Sequence, residues 1–304
     1  MSNRRSFLRS SAGLAASLAV GPLAEAKPAP AASLPQVTFG DVKISRMVMG
    51  CNQFYGFSHF NELLDNLMAD WNTSERISQT LFQCQQNGIN SYQYAHHENT
   101  LRDLELFRSK GGNMHLVATD PGLTPVEDAV RRSKAMALYY HGERTDVAFR
   151  EGKMDRVQEY TKRLRQAGVK VGIGTHKPEV VEYVEEHSWD VDFYMLCAYN
   201  RTRTPEEIRK ILGVLPVPAG EVYLETDPPH AYEVARKTAK SCFLFKVLAA
   251  GRAARSSEEI DKAFKLAFDN IKPQDCIVVG MFPRFKDEVK ENCERVRRIL
   301  NCTA

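Results

Sequence analysis

The chain of 304 residues has almost no charge imbalance: 41 lysines and arginines stand against 38 aspartates and glutamates, a formal +3. That balance leaves no electrostatic footprint for nucleic acid or for an anionic membrane surface. The seven cysteines form no C-x-x-C pair and no zinc-finger spacing, and an odd count makes a poor disulfide framework. Disulfides are therefore not expected to hold the fold together. No Gly-x-Gly-x-x-Gly follows an early strand-like run, which counts against a doubly wound dinucleotide-binding sheet, the runner-up architecture. Two short basic runs, Lys162–Arg165 and Arg295–Arg298, fall on helical patterns and read as solvated faces.

What is present begins at the N-terminus. Arg4-Arg5-Ser6-Phe7-Leu8 precedes an apolar stretch from Ala12 to Leu23 and then Ala24-Glu25-Ala26. A basic segment, an apolar segment and a small-x-small site in that order make a cleavable leader. The apolar part is too short, and too rich in Ala, Ser and Gly, to be a stable membrane anchor. The leader resembles a bacterial twin-arginine signal, which implies that the export machinery of that name carries the folded protein to the periplasm. Cleavage after Ala26 would remove Arg4, Arg5, Arg9 and Glu25 and leave 278 residues with a net charge of +1. Folding in the reducing cytosol before export would also account for buried free thiols. The expected organisation is a signal peptide over 1–26, a Pro/Ala-rich linker over 27–35 and one domain over 36–304.

Within that domain short apolar runs alternate with amphipathic helical patterns. The runs are Arg46–Gly50, Asn90–Tyr94, Met114–Thr119, Ala135–Tyr140, Val169–Gly174, Asp192–Ala198, Ser241–Val247 and Cys276–Gly280. Compact, nearly continuous apolar runs suit strands buried on both faces of a parallel sheet. Thr124 with Glu127, Thr204 with Glu207 and Ser256 with Glu259 have capping-box spacing, and Gly88, Gly168 and Gly213 stand where helices should stop. Eight strand–helix pairs predict a (β/α)8 barrel. Val37–Ile44 reads as a hairpin before the first barrel strand, and Glu221–Glu225 as a ninth β-like run.

The order of these features resembles the aldo-keto reductases over essentially the whole domain. The resemblance rests on the hairpin leading into Ile44–Gly50, on Gly88-Ile89-Asn90, on Tyr139-Tyr140-His141 and on Gly172-Ile173-Gly174. It continues through Lys246–Arg252, Val278-Val279-Gly280 and Glu288–Asn292. It implies NADP, with Thr175, His176, Lys246, Leu248, Arg252, Gly280, Arg284 and Asn292 along the cofactor groove. In that groove Arg252 and Arg284 would meet phosphate and Asn292 would meet adenine. It also implies an Asp, Tyr, Lys and His set that protonates a carbonyl oxygen. Here Gln93 stands at the Asp position, Glu98 at the Tyr position and Asp120 at the Lys position; only the His survives, as His141. On a strand, Tyr92 and Tyr94 would point away from the side of Gln93.

Chemistry in such barrels collects at the C-terminal strand ends. Those ends hold His96, His97, Asp120, His141 and His176, with Glu225 and Asp227 beyond the extra run. Three readings stay open. The first is a divergent oxidoreductase acting on a small carbonyl or sugar-like substrate with bound NADP, its catalytic candidates being His141, Gln93, His96 and Asp120. The second is a hydrolase or isomerase with zinc or manganese on His96, Asp120, His141 and His176. The third is a barrel that binds a small ligand without catalysis. Cys197 could face the mouth, Arg201 and Arg203 could grip an anion, and Lys246 could carry a reactive amine, whereas His59, His115 and His187 read as structural or exposed. The leader is testable by itself: changing Arg4 and Arg5 together to Lys should leave folded precursor in the cytoplasm of a bacterial host. Undiminished periplasmic delivery, read by fractionation, would contradict twin-arginine dependence.

Overall fold

The computed structural model describes residues 33–122, 124–216 and 221–301. The segment expected to be a twin-arginine leader with its cleavage site lies outside the described residues. Strands β1 (Gln36–Phe39) and β2 (Val42–Ser45) form an antiparallel hairpin. Eight parallel strands then close into a barrel: β3 (Met47–Met49), β4 (Ser91–Tyr94), β5 (His115–Thr119), β6 (Ala137–Tyr140), β7 (Lys170–Thr175), β8 (Phe193–Cys197), β9 (Ser241–Phe245) and β10 (Cys276–Val279). Consecutive strands are neighbours, and β10 pairs with β3.

Helices cross between them. After β3 come α1 (Glu62–Trp71) and α2 (Ser74–Gln86), then α3 (Glu98–Ser109) and α4 (Val126–Ser133) after β4 and β5. β6 is followed by α5 (Gly142–Arg150) and α6 (Met154–Gln166), and β7 by α7 (Pro178–Glu186). The last crossings use α8 (Pro205–Leu212), α9 (Asp227–Lys237), α10 (Ser257–Asn270) and α11 (Glu288–Ile299).

The eight predicted runs all become barrel strands, and the hairpin forms where the alternation placed it. Several local expectations need correction. Glu221–Glu225 pairs with no strand. Thr124 does not cap α4, whose N-cap is Pro125 without a side-chain bond. Thr204 does make the full capping box with Glu207. Ser256 accepts from Glu259 N, but the Glu259 carboxylate accepts from Arg255 N instead of returning to Ser256. Leu34, inside the expected linker, is buried in the core, so packing begins before residue 36. Arg295 is no solvated face: it is buried and donates to Asp261, Ser257 and Asn292.

Alternation along each strand sends one row of side chains to the helices and the other to the barrel axis. Tyr92 and Tyr94 go outward into the helix-facing core. Val48, Val117, Ala137, Tyr139, Phe193, Met195, Phe243 and Val278 go inward, and Phe39 and Ile44 of the hairpin join them at the bottom. Phe39 meets Phe193 and Phe243 edge-on, with ring centroids 5.4 and 5.1 Å apart. The interior is thus a packed core, and only the C-terminal end is left for a site.

Gly172 makes this packing possible. A Cβ there would fall 2.4 Å from the Phe193 ring. Gly172→Ala should therefore cost about 1–3 kcal/mol by overpacking the axis. Gly168→Ala, at a φ of +75° with open space around it, should cost only about 1 kcal/mol. Urea titrations of both variants check the order.

Candidate functional site

The strand ends bring the sequence-derived candidates to one mouth but distribute them among separate clusters. Asp120, after β5, accepts from His141 N at 2.9 Å and from Gly122 N at 3.1 Å, and it is paired with Arg144. The His141 ring is half-buried, and burial together with the Arg144 charge lowers its pKa. His96 is buried, its backbone N donates to Thr119 Oγ1 at 3.1 Å, and its Nδ1 has no partner among the described residues. His97 and Glu98 are exposed, and Glu98 binds Arg132 through both oxygens at 2.7 and 2.8 Å.

His176 turns to a residue that sequence reasoning missed. Asp146, on α5 and fully buried, lies with Oδ2 2.7 Å from His176 Nδ1 and accepts from Thr175 Oγ1 at 2.6 Å. A carboxylate can only accept, so Nδ1 carries the hydrogen. Burial is the largest influence on this imidazole and holds its pKa below the ordinary value despite Asp146. Among the described residues, no three His, Cys, Asp or Glu side chains are grouped to hold a metal ion. The set His96, Asp120, His141 and His176 expected for zinc or manganese is not assembled. Asp120 is occupied by Arg144 and backbone N–H groups, and His176 by Asp146.

A cavity of about 390 Å³ lies on the other side of the mouth. It starts at Gln93 on the barrel axis, where Gln93 Nε2 donates to the Tyr139 hydroxyl at 2.8 Å. From there it runs past Gly50, Cys51, Lys246, Val247, Leu248 and Gly280 to Phe282, Glu288 and Asn292 at the start of α11. Of the residues expected along a cofactor groove, Lys246, Leu248, Gly280 and Asn292 line it. Thr175 and His176 are engaged with Asp146. Arg284 stacks on Phe285 with its guanidinium 5.3 Å from the ring centre. Arg252 donates to the backbone oxygens of His59, Ala249 and Glu221 and so ties loops together.

Glu221 is the second missed residue, and the β-like run that contained it gave no hint of its role. Its carboxylate accepts from Tyr199 at 2.7 Å and from Arg201 Nε at 2.7 Å, and it lies 2.6 Å from His59 Nδ1. Burial works to raise its pKa, but His59, Lys246 and Arg201 together hold it well below the carboxylate range. His59, read as structural or exposed, is structural in holding Glu221, and it also lines the cavity. Arg203 is spent on Asp227, at 2.5 and 2.8 Å.

Lys246 stands beside this cluster. Its side chain is 9% exposed, its Nζ makes no hydrogen bond among the described residues, and Glu221 Oε2 lies 3.8 Å away. Burial lowers its pKa to about 8. Cys197 does face inward, and burial pushes its thiol up to about 12. The six described cysteines are all free and buried.

No protein-family model and no curated protein matches the chain in sequence. Solved structures share its fold. Phospho-2-dehydro-3-deoxyheptonate aldolase from Thermotoga maritima aligns over 88% of this chain and 73% of its own, at 14% identity and a TM-score of 0.50. The apo form of Gox0644 aligns over 88% and 94%, at 10% identity and a TM-score of 0.50. An aldo/keto reductase from Brucella melitensis aligns over 88% and 99%, at 10% identity and a TM-score of 0.45. The chain has a (β/α)8 barrel fold, and a fold shared at these identities does not select a chemistry.

The buried amine has a measurable cost. Lys246→Met removes an ammonium held without a hydrogen bond, while Glu221 keeps His59, Tyr199 and Arg201. The variant should be more stable at pH 7 by about 1–3 kcal/mol. In the wild type the folded chain loses this proton near pH 8, before the unfolded chain does, so its stability rises between there and the ordinary lysine value. The advantage of Lys246→Met should accordingly shrink by pH 10, as denaturant titrations at the two pH values would read.

Proposed function

We propose that the protein is a divergent oxidoreductase of the aldo-keto reductase type. It acts on a small carbonyl or sugar-like substrate at the barrel mouth, with a nicotinamide dinucleotide of the NADP kind in the adjoining cleft. The observation that carries this reading is the cleft itself. It joins the axis at Gln93 to the first turns of α11 at Asn292, the path that the resemblance implies for the cofactor.

The residues present fit such a group. Gln53 Oε1 is buried without a hydrogen-bond partner among the described residues, and Gln53 lines the cleft. A buried polar atom left unpaired costs stability unless a ligand meets it. Val247, Leu248 and Phe282 supply apolar walls for a flat ring, and Gly280, lacking a Cβ, leaves room for Gln53 Oε1, which a Cβ there would meet at 2.6 Å. Asn292, steadied by Arg295, would offer its amide to the base. When bound, the reduced nicotinamide supplies hydride to a carbonyl carbon. Gln93 keeps one amide hydrogen beyond the one given to Tyr139 and can orient the carbonyl oxygen. Export through the twin-arginine leader to the periplasm belongs to the same proposal, since that route carries proteins already folded.

Trp71 packs edge-on against the cleft residue Phe282, 5.3 Å between centroids, and serves as a reporter. NADPH should quench its fluorescence saturably. Gly280→Val, which places a side chain into the cleft, should weaken the response at least about tenfold, or ~1.4 kcal/mol, with an unaltered circular dichroism spectrum. No saturation at millimolar NADPH would retire the cofactor, leaving a barrel that binds some other small ligand.

A further inference from the structure

The proposed reaction needs a proton for the carbonyl oxygen, and the positions where the resemblance would supply it cannot. Gln93 has no acidic proton, Glu98 is exposed on Arg132, Asp120 is paired with Arg144, and His141 is not among the residues that line the cavity. Among the titratable residues lining the cavity, burial pushes the Cys51 thiol up to about 12. His59 has both ring nitrogens engaged, Nδ1 with Glu221 and Nε2 with Asn52, and burial lowers its pKa. Glu288 and Lys286 lie towards α11, where Glu288 accepts from Phe282 N and Lys286 pairs with Glu291. Lys246 remains.

Its setting is built for a proton on loan. It follows β9 directly, beside the inward-facing Phe245, and both residues line the cavity with Gln93. Its φ of +60° is a left-handed conformation that a side-chain-bearing residue rarely adopts, and Ala249 and Ala250 repeat it at +51°. Such backbone strain persists where the surrounding structure over-determines it, and it gathers at functional sites. We propose that Lys246 is the proton donor of this barrel, its Nζ protonating the oxygen of a small aldehyde or ketone bound against Gln93. The inference rests on the reading of the cleft as a nicotinamide site.

The step balances. The carbonyl carbon gains a hydride from the reduced nicotinamide, and the carbonyl π pair moves onto oxygen. An O–H bond forms as one N–H bond of Lys246 breaks, and solvent returns the proton to the neutral amine. Glu221 lies at 3.8 Å and favours the ammonium, while Cys197 on β8, its thiol pushed up to about 12, stays neutral where the amine titrates. Arg201 and Arg252 oppose it, and His59 and His176 feel its charge in return. Burial outweighs them and brings the pKa to about 8, where an amine is both mostly protonated and willing to give up its proton at neutral pH.

The test uses the purified protein with NADPH and 4-nitrobenzaldehyde as the carbonyl probe. kcat/KM should fall above pH about 8, the point at which the free ammonium is lost. Lys246→Arg, which keeps the charge but not a transferable proton, should lower kcat at saturating NADPH by roughly a hundredfold or more and abolish that alkaline limb. Independently of turnover, acetic anhydride labelling followed by peptide mass spectrometry, without nucleotide, should titrate Lys246 near pH 8 and exposed lysines about two pH units higher. A Lys246 midpoint in the ordinary lysine range, an unchanged profile in Lys246→Arg, or NADPH binding with no aldehyde reduced at any pH would each overturn the proposal alone. Failure of the wild type to bind NADPH would instead remove the cofactor reading and this inference with it.

Discussion

The pairing of β10 with β3 is the contact on which the rest of the molecule depends. It closes the sheet, removes the last unpaired strand edges and forces alternate side chains into a sealed axis. It also brings together two glycines from opposite ends of the domain. Gly50 N donates to Val279 O at 2.9 Å, and a Cβ on Gly50 would stand 3.4 Å from Gly280 N. That seam is the floor of the cleft. An open sheet of the same strands would leave Gly50 and Gly280 apart, and no groove would run from the axis to α11.

Above the seam, the Glu221 carboxylate organises the loops. It gathers His59 from the segment before α1, Tyr199 and Arg201 from the segment after β8, and Lys246 from the end of β9. Arg252 adds a second tie through the backbone oxygens of His59 and Glu221. A buried anion of this kind is stable only while its hydrogen-bonding partners, here His59, Tyr199 and Arg201, stay in place. The segments that cover the inner cleft are therefore coupled, and what enters beside Lys246 must do so within a preformed charge arrangement.

On the opposite side of the mouth the same logic spends the polar groups on structure. Asp120 holds the start of α5 through His141 N and Arg144, and Asp146 holds the β7 end through His176 and Thr175. These clusters account for the histidines at the strand ends not being grouped with carboxylates as metal ligands among the described residues. Imidazole and carboxylate are present in suitable numbers, but each carboxylate is already committed to a partner within its own neighbourhood.

The sequence by itself determined the strand–helix alternation and hence the barrel. Apolar runs at regular spacing must be buried on both faces, and Gly88, Gly168 and Gly213 mark the helix ends through positive φ. It determined, too, that Tyr92 and Tyr94 leave the axis while Gln93 faces it, because a strand alternates residue by residue. Only the tertiary structure decided the partners. His59 and Glu221 are 162 residues apart, and nothing local in either segment announces the other. Thr124 and Ser256 show the same limit at short range, since a capping-box spacing does not dictate which hydrogen bond wins once the loop before it is placed. Periodicity reports which face a residue occupies, a property of its own segment. The partner it meets on that face depends on how the barrel closes, a property of the whole chain.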